Sequence, residues 1–189
     1  MDKFYTVTKE IRGKGYKCQF NGLGASLRAI DDSYIEGSSN TSIEKLAKYL
    51  LENVIVEPRM SIEDFGADKI GEEKTKKING KEYVAKFDGI LTAVRAADSS
   101  YIEGSSNTST DKYSAYLFDK VIVKPEKLKA DDFESMEEFN AVLAFARETM
   151  QGGEVWEEFQ EVIAFAREVM QGNFREEKDT VPTRTGSKK

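Results

Sequence analysis

Two short runs of alternating apolar and polar residues open the chain, and apolar positions then recur at three- and four-residue spacing. The whole pattern returns 67 residues later. Tyr5-Thr6-Val7-Thr8 and Tyr16-Lys17-Cys18-Gln19-Phe20 alternate across Arg12-Gly13, and Lys77-Ile78 and Tyr83-Val84-Ala85-Lys86-Phe87 flank Asn79-Gly80. Asn-Gly suits the two positive-φ positions of a type I′ turn, so each pair predicts a β-hairpin, with the weaker turn in the first. A helix follows each hairpin, marked by Leu23, Leu27 and Ile30 and again by Ile90, Leu91, Val94 and Ala97. A second helix is predicted over 42–53, carrying Ile43, Leu46, Ala47, Leu50 and Leu51, and over 109–120, carrying Tyr113, Tyr116, Leu117 and Phe118. Both run into Val-Ile-Val, which fits either a last helical turn or a short strand, before Pro58 or Pro125 ends it.

The third predicted helix, 136–151, has one apolar face made of Phe139, Val142, Leu143, Ala146 and Met150, with Phe145 to its side. Gly152 is a natural stop. Twenty residues on, 156–171 repeats that face as Phe159, Val162, Ile163, Ala166 and Met170, with Phe165 beside it. A Met and aromatic stripe of this kind serves either as core or as a groove for an apolar partner helix.

Repetition fixes the organisation. The decapeptide Ser-Tyr-Ile-Glu-Gly-Ser-Ser-Asn-Thr-Ser occurs at 33–42 and again at 100–109. The expected fold is α+β and mainly helical, with two repeated units, each a β-hairpin followed by helices, and a duplicated C-terminal helix. The first unit covers 1–65 with a hairpin and two helices. A charged linker spans 66–76, and the second unit, 77–153, has the hairpin and three helices. The surplus helix, 154–173, is expected to fold back onto the first unit, and 174–189 reads as a disordered tail. Within the repeated loop, Gly37 and Gly104 permit a positive-φ turn, and Thr41-Ser42-Ile43-Glu44 or Thr108-Ser109-Thr110-Asp111 caps the next helix. The loop is also the stretch that looks most functional, being identical while its neighbours drift.

Composition changes the picture mainly by exclusion. The chain has 189 residues, 28 Lys and Arg, 34 Asp and Glu, one cysteine and no histidine. Without histidine there is no Ser-His or Cys-His triad, nor the commonest zinc ligand. No phosphate-cradling glycine loop appears. Glu137-Glu138 and Glu157-Glu158 fall in first helical turns, where acidic side chains complement the helix dipole. These features point away from an enzyme and imply no cofactor and no metal. A net charge of −6 argues against direct nucleic-acid binding, and Lys74-Thr75-Lys76-Lys77 reads as a solvated linker. No apolar run is long enough for a membrane span and no signal peptide is evident, so a cytoplasmic location is expected. Lone Cys18 reads as a small half-buried residue.

The order of the Asn-Gly-Lys-Glu-Tyr hairpin, Ala-Val-Arg-Ala-Ala-Asp helix, Ser-Tyr-Ile-Glu-Gly loop, Val-Ile-Val-Lys-Pro, Asp-Asp-Phe-Glu-Ser-Met-Glu-Glu-Phe-Asn and Phe-Ala-Arg-Glu-Thr-Met-Gln-Gly resembles tail assembly chaperones. These come from long-tailed phages and prophages of Gram-positive bacteria. The likeness covers 77–189 as one nearly complete copy and 1–65 as a partial copy. It implies a non-enzymatic protein, in an infected or lysogenic host, that binds the helical tape-measure protein and also meets tail-tube subunits. Binding would shield the tape measure's apolar stripes until the tube polymerises. The residues taken as partner-binding are Phe145, Met150, Phe165 and Met170 on the third helices, with Tyr34 and Tyr101 in the loops. A single-copy protein would be expected to have half to two-thirds of this length. Identical patches beside diverged ones point to recombination between related genes, or to a sequence composed from such parts. The alternative class is a small acidic mobile-element protein that inhibits a host defence nuclease by stoichiometric binding.

Overall fold

The computed structural model of the protein describes residues 4–173, so the predicted tail lies outside the described residues. Strand β1 (Tyr5–Ile11) pairs antiparallel with β2 (Lys14–Phe20), and β2 pairs with β3 (Ile55–Glu57). Strands β4 (Glu73–Ile78), β5 (Lys81–Lys86) and β6 (Ile122–Lys124) repeat that order as a second antiparallel sheet. The fold is thus α+β, with hairpins followed by helices. Both hairpins turn through two positive-φ residues, Arg12-Gly13 and Asn79-Gly80, the backbone of a type I′ turn.

Helices α1 (Leu23–Asp32) and α2 (Ile43–Tyr49) follow the first hairpin, and α3 (Ile90–Ser99) and α4 (Thr110–Val121) follow the second. The Val-Ile-Val triplets divide between the two: Val54 and Val121 end the helical segments, and Ile55 and Ile122 begin β3 and β6 and are buried. Two boundaries differ from the sequence reading. Helix α2 widens into a π-helical turn, Leu50–Val54, before β3. The charged stretch 66–76 is more than a linker, because Ala67–Lys69 forms a 3-10 turn and β4 already begins at Glu73. Lysines suit a strand at a sheet edge, where they discourage pairing with another chain.

A three-stranded sheet with one apolar face needs a cover. Helix α5 (Met136–Gln151) lies on β4 and β5, and α6 (Glu154–Met170) lies on β1, β2 and the π-helical turn. The same lock holds each helix to its sheet. Tyr83 Oη donates to Glu138 at 2.7 Å, and Tyr16 Oη donates to Glu158 at 2.9 Å. Lys81 Nζ lies 3.1 Å from Glu138, and Lys14 Nζ lies 2.8 Å from Glu158. Arg12, at the tip of the first hairpin, adds ion pairs to Glu157 and Glu161. Aromatic edges repeat as well: Phe133 meets Phe139 at 5.4 Å, and Phe65 meets Phe159 at 5.3 Å. The short α5–α6 link therefore carries the last helix back to the first unit. Gly66 permits that return, since a Cβ there would fall 2.6 Å from Val155 Cγ1.

Candidate binding surface

Each decapeptide folds as a miniature hairpin closed at its ends. Ser42 N–H donates to Ser33 O and Ser109 N–H to Ser100 O, both at 2.7 Å. Inside, Ile35 N–H reaches Asn40 O and Ile102 N–H reaches Asn107 O. Ser42 and Ser109 then cap the following helices through Lys45 N–H and Lys112 N–H, within the four-residue segments the sequence singles out but one position after their threonines.

The two loops lie against each other. Gly104 N–H donates to Gly37 O at 2.7 Å, and Ser38 Oγ and Asn40 Nδ2 both donate to Ser105 O at 3.3 Å. Gly37 has φ +74°, a backbone that favours glycine, and a Cβ on it would stand 3.0 Å from the side chain of exposed Glu103, which would have to give way. Within these loops Tyr34 is 44% exposed and Ile102 39%, while Tyr101 is half-buried.

Beside the loops, α3 packs on α2. Asp98 accepts Ser42 Oγ at 2.6 Å, Ile43 N–H at 2.8 Å and Glu44 N–H at 3.0 Å, satisfying two of the open donors of α2. Arg95 holds Glu44 through two nitrogens, at 3.0 and 2.8 Å. This pairing lowers the Glu44 carboxyl below its ordinary value.

Phe145, Met150, Phe165 and Met170 belong to the core; Phe145 alone of them reaches a surface depression, among Lys74, Thr75, Lys76, Glu148 and Thr149. Each is at most 4% exposed. Their stripe faces the sheet that each helix covers. Met150 Sδ accepts from Asp88 N–H, and Met170 O accepts from Ser26 Oγ. Lys76 and Lys9 stand over the rings of Phe145 and Phe165. Of the six residues singled out from sequence, only Tyr34 and Tyr101 lie outside the core, on the two stacked loops, and the exposed Ile102 was missed. Its identity with Ile35 in the repeated loop was the available signal.

The titratable groups have structural work. Hydrogen bonds from Tyr83 and Lys81 hold the Glu138 carboxyl below its ordinary value. Burial opposes ionisation of Glu158, but hydrogen bonds from Lys14 and Tyr16 outweigh it and keep that carboxyl low as well. Burial, aided by Glu138, pushes Tyr83 up to about 12, and burial pushes the Cys18 thiol up to about 12, far from a reactive thiolate. A cavity of about 360 Å³ between residues 58–69 and α6 is lined by Lys14, Tyr16 and Glu158, already paired with one another. Among the described residues no cluster of His, Cys, Asp or Glu is arranged to hold a metal ion. No buried side-chain polar atom there lacks a hydrogen-bond partner. No helix among them is long and apolar enough to cross a membrane. Compared with family models, curated proteins and solved structures, the chain matches none.

Proposed function

We propose that the chain is a non-enzymatic binding protein that presents its stacked loops to a repetitive, helical protein partner, in the manner of a phage tail assembly chaperone with its tape-measure protein. The observation that supports this reading is the loop ladder. Two identical ten-residue loops are hydrogen-bonded side by side, with Tyr34 exposed on one and Ile102 on the other. A surface offered twice at fixed spacing gains avidity for a partner whose own surface repeats. Tyrosine supplies large contact area with few rotatable bonds, and rigid loops lose little entropy on binding. The partner contacts move from the third helices, which the core consumes, to the loops.

Co-expression with an aggregation-prone helical tape-measure fragment tests the reading by size-exclusion chromatography with light scattering. Soluble fragment is expected to co-elute with the parent chain and to be lost with Tyr34→Asp plus Ile102→Asp in folded protein. Failure of the folded parent to keep the fragment in solution overturns it.

A further inference from the structure

The two units meet through unlike surfaces, so each chain ends with one copy of either surface uncovered. The second unit offers α3 and the Gly104 N–H; the first offers α2, Gly37 O and the turn Ile62–Asp64. A two-fold arrangement would also pair α1 with α4. Among the described residues Arg28, Asp31 and Asp111 make no such ion pair or side-chain hydrogen bond. The contact is heterologous.

The counterparts of the charged contact residues are retained and open, while Leu91, which lies beside Arg95 against α2, is matched by Gly24. Arg28 and Asp31 stand 67 positions before Arg95 and Asp98. Leu23 and Leu27 are each 62% exposed, whereas Ile90 and Val94 in the same places on α3 are 0% exposed. At the opposite end Ser109, Thr110 and Asp111 repeat Ser42, Ile43 and Glu44. Ser42 is buried in the contact, while Thr110 and Asp111 are exposed. Arg28 and Asp31 of α1 thus match the α4 end in the same ion-pair and capping chemistry that already joins α3 to α2, with Leu23 and Leu27 open beside them.

We propose that the protein associates head to tail with further copies of itself, the α1 face of one chain seating on the α4 end of the next. Arg28 pairs with Asp111, and Asp31 accepts from Ser109 and the first N–H groups of α4, as Arg95 and Asp98 do within the chain. The loop ladder continues across the junction, with Gly37 N–H facing the next chain's Gly104 O. A heterologous contact has no built-in stop, so it builds rings or open filaments rather than a closed dimer. The junction between chains is weaker than the internal one, because Thr110 replaces Ile43, exposed Ala130 takes the place of Ile62 in the following turn, and no covalent link holds the surfaces together. Assembly is therefore reversible and concentration-dependent. This inference stands apart from the partner proposed above.

Sedimentation of the full chain tests it. The parent is expected to grow past the dimer as concentration rises from micromolar to millimolar. Leu27→Asp, which blocks only the α1 end, and Asp111→Arg, which blocks only the α4 end, are each expected to stay monomeric alone. Mixed together they are expected to pair one to one and grow no further, since each retains one live end. Both sites are exposed, and Arg28→Glu provides a second block of the α1 end, rescued when Asp111→Arg is added to the same chain. A parent that stays monomeric, a parent that stops at a dimer, an Asp111→Arg chain that still assembles alone, or blocked chains that fail to pair overturns the proposal.

Discussion

Phe159→Ala removes the ring by which α6 is keyed to the first unit. Phe159 is 2% exposed, lying edge-on to Phe65 at 5.3 Å and tilted against Trp156 at 5.5 Å. Truncating a buried Phe to Ala costs about 3–5 kcal/mol, from lost transfer free energy plus the cavity left behind. Whole domains are stable by only about 5–15 kcal/mol, so the loss is a large share. At roughly tenfold per 1.4 kcal/mol, hydrogen exchange in β1 and β2 is expected to quicken by about a hundredfold or more. The β4 and β5 amides are expected to change far less, because their cover is α5 with its own Phe139. Phe139→Ala gives the reverse profile. The reasoning is refuted if Phe159→Ala leaves β1 and β2 protected as in the parent, or loosens β4 and β5 equally.

Three further outcomes follow from the same geometry. Asp98→Ala uncaps α2 and is expected to cost about 1–2 kcal/mol in urea denaturation, whereas Asp31→Ala in monomeric protein stays within about 0.5 kcal/mol as an ordinary surface change. Equal effects would contradict the one-sided contact. Gly37→Ala forces a side chain into a left-handed backbone against Glu103, and is expected to destabilise by about 1–2 kcal/mol in the same assay. Gly104→Ala carries only the backbone part, because nothing lies within 4 Å of its Cβ position. The pH profile has two edges. The contributions of Glu138 and Glu158 are present above the ordinary carboxyl value of 4.5 and are lost as pH falls through their lower folded values. Tyr83, raised from 10.0 to about 12, contributes fully below 10.0 and loses its contribution as pH rises through about 12. Stability measured by thermal denaturation is thus expected to be flat between these edges. A chain more stable at pH 3 than at pH 7 contradicts the carboxylate locks.

The hairpins were legible because Asn79-Gly80 names its turn chemistry, and Arg12-Gly13 adopts the same backbone once alternation places strands on either side. The third strands were not. Val-Ile-Val has no period to separate helix from strand, and only the long-range pairing of Cys18 with Ile55 and Ala85 with Ile122 decides. Sequence identity announced two loops but not their contact, since a repeat says how many copies exist and nothing of the operation relating them. The burial of Phe145, Met150, Phe165 and Met170 was left open by the sequence for a related reason. A helix face bound for a sheet and one bound for a partner carry the same apolar spacing, and the waiting sheet decides between them.

Double-mutant cycles on the tyrosine locks measure which helix completes which unit. For Tyr16→Phe with Glu158→Gln, a coupling of about 1 kcal/mol is expected in denaturation free energy. The Tyr83→Phe and Glu138→Gln cycle is expected to couple with the same sign, while the crossed cycle of Tyr16→Phe with Glu138→Gln is additive. A coupled crossed pair, or additivity between Tyr16 and Glu158, would contradict an architecture in which α6 completes the first unit and α5 the second.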